Sequence, residues 1–432
     1  MTTTEQNSEI ETFQKCLWNL YGQLPKEDPL AKARAKAWDF FLTEGAPDRN
    51  NEVYRYIRLR NFYAHGFVLP SPIQDPKELP IVPECAESVL VYLNGVFSPT
   101  LSRTKHLPQK IVIAPISEAI NTYGSFLNNQ WTKALKDEAD PFARLNLALQ
   151  QEGAFLYVPP KTVVEHPIQI LQLIDAKSSP YLMNPRLQIF VGAQSEISLL
   201  QTWHVMSGTT FGINSATDLA IEENAHVKFD QIAYDLPDTL WQFDALRATL
   251  KRDSTLKTVC LTNGAATIRQ DYRVSLAGEG AEASLNGLLA LNAKREAHIH
   301  ILMDHQAPNC RSMQLFKSAL DGASRSSFEG KIYVHQAAQK TEAFQLNNNL
   351  LLSDQAHADS KPNLEIFADD VKASHGATIG QLDKEQIFYM KTRGYNEKQA
   401  TSLLVKGFCK EVIDMAATET IRHRIEKKIE GL

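Results

Sequence analysis

Cysteine is scarce in this sequence. Five occur, Cys16, Cys85, Cys260, Cys310 and Cys409, an odd number with no two at metal-clip or redox spacing. That excludes a self-contained zinc clip or a disulfide framework and fits a reducing, cytoplasmic compartment. Long apolar runs are missing too. The longest uncharged stretch, Ile197 to Thr217, is broken by Gln201, Thr202, Ser207, Thr209, Thr210 and Asn214, so no membrane span is expected. The opening Met1-Thr2-Thr3-Thr4-Glu5-Gln6-Asn7 has neither a basic region nor an apolar core and does not read as a signal peptide. An excess of positive charge is absent. Lys and Arg number 45 against 50 Asp and Glu, a net charge of −5, which speaks against nucleic-acid binding driven by bulk charge. There is no phosphate loop. Gly278-Glu279-Gly280 lacks the third glycine and the following helix of a dinucleotide fingerprint. No Gly-x-Ser-x-Gly nucleophile elbow occurs.

With 43% hydrophobic and 22% charged residues, the 432-residue chain has the composition of a folded globular protein, either two to three domains or one large repetitive unit. Residues 1–152 read as a mostly helical N-terminal region. Ile10, Phe13, Leu17, Leu20, Tyr21 and Leu24 recur at helical steps. A second helix, Leu30 to Glu44, stops at Gly45-Ala46-Pro47. A linker at about 66–87 carries Pro70, Pro72, Pro76, Pro80 and Pro83. Ser88 to Phe97 alternates as a strand with a hairpin turn at Asn94-Gly95, and about 116–151 is helical again.

Over 153–380 the pattern turns to short strands. They include Leu187–Phe190, Ile197–Trp203, Ala225–Phe229, Ala283–Leu289, Ala297–Met303, Met313–Leu320, Phe328–Val334, Ala343–Leu352 and Asn363–Phe367. Gly-Ala or Asn-Ala pairs read as corners at residues 153, 192, 224, 264, 280, 322 and 376. The class is mainly β, a sandwich, a propeller or a β-helix; no propeller signature appears. Asn347-Asn348-Asn349 before Leu350-Leu351-Leu352 suits a β-helix, with an amide ladder at a turn and leucines inside. Residues 381–432 form a helical C-terminal region: Asn396 and Gln399 make a capping box, and Ala400, Leu403, Leu404, Phe408, Val412 and Met415 line one helix face.

Four clusters could carry chemistry. Asp369-Asp370-Val371-Lys372-Ala373-Ser374-His375-Gly376 offers metal ligands or acid–base groups, although adjacent strand residues face opposite ways. Its plainer reading is a strand-ending turn with a hydrogen-bonded histidine. His298 and His300 share one strand face, with His305 beyond; the plainer reading is a solvated sheet face, because no third ligand is spaced nearby. Tyr54, Tyr56, Phe62 and Tyr63 interleave with Arg55, Arg58 and Arg60, which suits nucleic acid but more simply a junction packed on the core. The stripe on the 396–415 helix either packs on its own domain or docks a partner.

The stretch from His305 to Asp414 resembles the SufB/SufD superfamily of the SUF iron–sulfur cluster assembly machinery. The residues that carry the resemblance are Asp304-His305-Gln306-Ala307-Pro308, Phe328-Glu329-Gly330-Lys331-Ile332, Ala338 to Ala343, Asn347 to Asp354, Lys361 to Ile366, Ala368 to Gly380, Phe388-Tyr389 and Arg393-Gly394. Weaker agreement covers Glu52, Tyr54 to Tyr56, Asn94-Gly95, Leu145-Asn146 and Gly153-Ala154. The resemblance implies a right-handed parallel β-helix flanked by N- and C-terminal helical regions. It implies a non-enzymatic scaffold subunit that pairs with a SufB-like paralogue and docks a SufC-like ATPase. An unpaired β-helix edge would also let the isolated chain form a homodimer. His375 takes the place of the family's interface histidine, implicated in binding iron or a transient iron–sulfur cluster shared with the partner, with nothing tightly bound by the isolated chain. The implied ATPase-docking region includes Phe388, Tyr389, Arg393, Gly394, Leu404 and Phe408. Family members often carry a cysteine two residues before the histidine. Ala373 stands there, so any sulfur ligand must come from the partner or from sulfide. The missing N-terminal cysteine cluster and the chain length point to the SufD branch. The competing expectations are a purely structural brace for the ATPase, and a β-helix carbohydrate-active enzyme using Asp369 and Glu365.

Overall fold

The computed structural model describes residues 3–430 apart from Arg49, Pro72, Gln74, Asp75, Ser178 and Thr209, and the side chains from residue 9 onward. Met1, Thr2, Pro72 and Thr209, named above, lie outside the described residues, as do the last two residues of the 381–432 region and the side chains of Thr3 to Asn7. Helices α1 (Thr3–Gln23), α2 (Ala31–Glu44) and α3 (Arg60–Tyr63) open the chain. Strands β1 (Val89–Leu93), β2 (Val96–Arg103) and β3 (Val112–Pro115) lead to α4 (Ile116–Asp137) and α5 (Pro141–Leu149). Then follow β4 (Ala154–Val158), β5 (Ile168–Asp175), β6 (Leu182–Met183), β7 (Arg186–Val191), β8 (Glu196–Ser207), β9 (Gly212–Ile221), β10 (His226–Ala233) and β11 (Trp241–Leu250). The remaining strands are β12 (Thr255–Thr262), β13 (Thr267–Leu276), β14 (Glu282–Leu291), β15 (Glu296–His305), β16 (Arg311–Leu320), β17 (Arg325–Val334), β18 (Thr341–Leu351), β19 (His357–Ile366) and β20 (Val371–Gln381). Helices α6 (Lys384–Thr392), α7 (Glu397–Ile413) and α8 (Glu419–Ile429) close the described chain.

From β7 onward successive strands go alternately to two sheets, and each pairs in parallel with the strand one turn earlier. The result is a parallel β-solenoid of about eight turns. Ladder partners on adjacent rungs lie 27 residues apart at Thr258 and Leu285 and 32 apart at Glu329 and Lys361. That variation in rung length is why corner spacing in the sequence is irregular. The first sheet starts at an antiparallel hairpin, β1–β2, whose Asn94 (φ 48°) and Gly95 (φ 83°) take the left-handed geometry of a tight hairpin turn. The interior is a continuous apolar column that includes Leu199, Phe229, Leu285, Ile299, Phe316 and Phe328.

One edge of the solenoid is a column of left-handed corners. Gln194, Asn224, Asp253, Gly280, Asn309 and Lys340 all have positive φ, each just before a strand of the first sheet. The corner N–H groups donate onward to the next rung: Gln194 to Glu223, Asn224 to Arg252, Asp253 to Glu279, Gly280 to Pro308, Asn309 to Gln339. Directly after each comes a small buried residue: Ser195, Ala225, Ser254, Ala281, Cys310, Thr341. Cys310 is thus a corner filler, and burial pushes its thiol up to about 11, which leaves it a poor thiolate.

Both sheets are covered outside. Aromatic side chains from the N-terminal region, Phe62 and Phe142, pack on Trp241 and Phe243 of the second sheet. Phe13, Leu17, Leu20 and Leu24 of α1 are buried, as their spacing predicts. Tyr54, Phe62 and Tyr63 are core residues too, and Arg60 pairs with Glu9, so this basic–aromatic segment is a packed junction. The C-terminal helices cover the first sheet: Val405, Cys409, Val412, Ile421, Ile425 and Ile429 join Leu261, Leu288, Leu315 and Ala319.

Several expectations are corrected. Gly376-Ala377 is not a corner; it lies inside β20. Asn347 to Asn349 lie within β18 rather than at a turn, because Asn347 and Asn349 point inward where their amides bond Phe316 O and Thr378 O. Of the leucines, Leu351 packs on the interior while Leu350 and Leu352 pack toward the C-terminal helices. On α7 the capping box is present, but the buried face is Ala400, Val405, Cys409, Val412 and Ile413. Leu403 and Met415 are exposed, since the sheet contacts a face rotated from the one expected. No helix among the described residues is long and apolar enough to cross a membrane.

Candidate functional site

The far end of the solenoid is a bare rung. Strands β19 and β20 end their sheets, each paired on one side only. The helices that follow β20 do not cap this end; they turn back over the first sheet. An uncovered strand edge presents unpaired N–H and C=O groups to any strand that can add to it.

His375 is exposed in the middle of β20. In-register pairing gives it a definite direction. Ala343 and Ala373 are ladder partners and both pack on the solenoid interior, so Gln345 and His375, two residues on, share that inward direction. The column beneath reads Leu199, Phe229, Thr258, Leu285, Gln314, Gln345, His375, rung by rung. It is mainly apolar until the last three rungs and polar from Gln314 outward. His375 therefore stands in the mouth of the solenoid on top of two buried amides, and its ring makes no hydrogen bond with another described residue. It is not the hydrogen-bonded turn histidine of the plainer reading.

The neighbouring groups are dispersed. Asp369 and Asp370 sit on the exposed bend before β20, Lys372 points outward to Glu342 at 3.2 Å, and Lys331 holds Glu365 at 2.6 Å on the outer surface. Glu365 and His375 thus lie on different faces. The described residues contain no group of three or more His, Cys, Asp or Glu arranged to hold a metal ion. His375 alone can give one imidazole nitrogen, and a complete ligand set would need atoms from elsewhere.

The paired histidines lie elsewhere, and not on a solvated face. His298 is buried and contacts Ser327 (2.7 Å) and Glu296 (3.4 Å). His300 reaches Asp271 at 2.7 Å. Asp271 belongs to a buried ionic cluster under the N-terminal region. Arg269 pairs with Asp271 (2.7 Å) and Asp140, Arg247 pairs with Glu138 (2.7 Å) and Asp271 (2.7 Å), and Tyr54 donates to Asp140 (2.6 Å). Burial would raise the Asp271 carboxyl, but Arg247, Arg269 and His300 hold it well below the usual carboxylate range. This cluster joins the N-terminal region to the second sheet. His305 lies in the core against Ser312 (2.8 Å), and burial pulls it down to about 4.

The C-terminal residues divide. Phe388 and Tyr389 on α6 are 68% and 56% exposed. Arg393 stacks over Tyr389 at 5.1 Å, and Gly394 takes φ +93°, which ends α6 in a conformation suited to glycine. Leu404 and Phe408 are only half-exposed; Lys317 donates to Phe408 O at 3.0 Å. Gln314 and Gln345 were not picked out from the sequence. Their signal was available: Gln345, Asn347 and Asn349 alternate between Ala343 and Leu351, a polar run on the inward parity.

These features define a class: a parallel β-solenoid flanked by helical regions, with one bare end rung that presents an imidazole. Two family profiles match, "SUF system FeS cluster assembly, SufBD core domain" over residues 173–408 and "SufBD protein N-terminal region" over 19–170. The chain belongs to the SufBD family of iron–sulfur cluster assembly proteins. It is 28% identical to the iron–sulfur cluster assembly protein SufD of Escherichia coli, over 90% of this chain and 89% of that protein. It is 27% identical to a SufBD family protein of Synechocystis over 92% and 90% of the two chains. A SufBD family protein of Mycobacterium leprae is 36% identical over 45% of this chain and 52% of its own.

Proposed function

We propose that the chain is a SufD-type, non-enzymatic subunit of a SUF scaffold complex. Its end rung pairs with a SufB-like paralogue, its C-terminal helices dock a SufC-like ATPase, and His375 contributes a ligand to iron or a nascent iron–sulfur cluster. The observation that carries this reading is the bare strand β20 with the His375 imidazole exposed at its centre. Addition of a partner strand to such an edge supplies main-chain hydrogen bonds and brings the partner's side chains to the mouth. The cluster is cargo. Imidazole is a competent ligand to iron, and Ala373 provides no thiolate, so sulfur comes from the paralogue or from sulfide. ATP hydrolysis belongs to the partner, since this sequence has no phosphate loop. Exposed Phe388 and Tyr389 support α6 as the docking surface.

The test is co-expression with the paralogue and ATPase, followed by iron and acid-labile sulfide analysis of wild type and His375→Ala. Loss of iron with an intact complex is the expected result. An intact complex with unchanged iron refutes the ligand role and leaves the second reading, a structural brace. For the carbohydrate-enzyme reading, a reducing-sugar assay on polysaccharides is the test; Glu365 pairs with Lys331 on the outer surface and Asp369 stands on the bend before β20.

A further inference from the structure

We infer that Gln345 is a positioning residue for His375, the acceptor that fixes the imidazole's second nitrogen when the first binds iron; this rests on the reading of His375 as a ligand. Gln345 is the in-register neighbour of His375 on β18, so their Cα atoms are about 4.8 Å apart and both side chains face the solenoid interior. It is only 3% exposed. Its Nε2 donates to Gln314 Oε1 at 2.7 Å, which anchors the amide from below. Its Oε1 is buried and, like Gln314 Nε2, has no hydrogen-bond partner among the described residues. An unpaired buried acceptor is destabilising, so a pure packing role would be served better by leucine, as at Leu285 lower in the same column.

The opposite wall is cut away for this amide. A Cβ at Gly330 on β17 would come within 2.1 Å of Gln345 Nε2, so the glycine makes the space the amide occupies. Three features therefore agree: an anchored amide, a cleared wall and a free carbonyl oxygen one rung below an unbonded imidazole. A metal-bound histidine needs an acceptor for its other ring N–H, which sets the tautomer and aims the ligating nitrogen. In the open mouth water can serve. Once a partner strand covers the end rung, water is displaced and the buried oxygen of Gln345 is the acceptor at hand.

The measurement is Fe2+ affinity of the co-expressed complex, by anaerobic chelator competition. Gln345→Met keeps the length and removes the acceptor; a 10- to 100-fold weaker affinity is expected. Gln345→Glu keeps an acceptor oxygen and should hold affinity within about threefold, a rescue that a packing role does not predict. If Gln345→Met binds Fe2+ like wild type while His375→Ala does not, the assignment of Gln345 is overturned and the reading of His375 stands. If neither variant changes Fe2+ binding, the reading of His375 itself is overturned. If both Gln345 variants lose affinity equally, Gln345 is structural and the inference is wrong. Should Gln345→Met fail to assemble, Gly330→Ala decides. It displaces the amide without altering it, and a similar loss is expected; unchanged affinity overturns the proposal.

Discussion

Arg269→Ala should loosen the N-terminal region from the solenoid. The guanidinium is 2% exposed, lies 4.4 Å from the Tyr54 ring, and neutralises both Asp140 and Asp271. Without it Asp271 keeps Arg247 and His300, but Asp140, 3% exposed, keeps only the Tyr54 hydroxyl and the Phe142 N–H at 2.8 Å. One buried carboxylate is then left with no directly paired cation among the described residues, and only Arg247 acts on it at longer range. Removal of one partner from a buried pair costs about 3–5 kcal/mol, against at most about 1 kcal/mol for a surface pair such as Lys391 with Glu397. Urea unfolding followed by tryptophan fluorescence measures this, because Trp38, Trp131 and Trp241 are buried in or beside the N-terminal packing. The first transition should lose about 3–5 kcal/mol, and Asp140→Asn in the same chain should restore about 1–3 kcal/mol of it. A loss below about 1 kcal/mol, or no recovery with Asp140→Asn, refutes the claim that this charge cluster holds the region in place.

Two further outcomes are expected. Burial pushes Asp230 up to about 7, although it accepts the Ala417 N–H (2.6 Å) beneath the α7–α8 junction and faces Lys228 and Arg422. Its folded pKa exceeds its unfolded value of about 3.9, so its contribution is full below pH 4 and is lost as pH rises to about 7. Asp230→Asn should remove a fall on the order of 3–4 kcal/mol between pH 4 and 7 in the wild-type stability profile; parallel profiles would contradict the assignment. Phe388→Asp combined with Tyr389→Asp should cut capture of the co-expressed ATPase at least about tenfold, while stability changes by no more than about 0.5 kcal/mol, as for exposed positions. Undiminished capture would move the docking surface elsewhere.

The fold was legible where a local rule repeats. The corners at residues 192, 224, 264, 280 and 322 announce themselves as glycine or asparagine followed by alanine, because a left-handed or tight turn precedes a position with room only for a small side chain. The same pair at Gly376 misled, since there the small residue faces Leu346 across a strand. Strands β9, β11, β12 and β13 escaped notice because both their faces are buried. In β11, Trp241 and Phe243 pack outward while Leu246 and Leu250 pack inward, so alternation disappears. His298 and His300 were misplaced for a related reason: their partners Ser327 and Asp271 are 29 residues away, one rung off in the stack. His375 stands out in the sequence as one member of a polar cluster, and the family resemblance singles it out from the rest. Its inward direction depended on register, which no local pattern in the sequence contains.

A solenoid of this kind is close to a one-dimensional stack, in which each rung is stabilised chiefly by the rung above and the rung below. The rung of β19 and β20 has only one such neighbour. Its opening free energy is therefore low for the β core, and fraying is expected there. The residue proposed to meet the cluster sits on that loosely held rung, so a partner strand would do two things at once: it would complete a binding site and anneal the end of the stack.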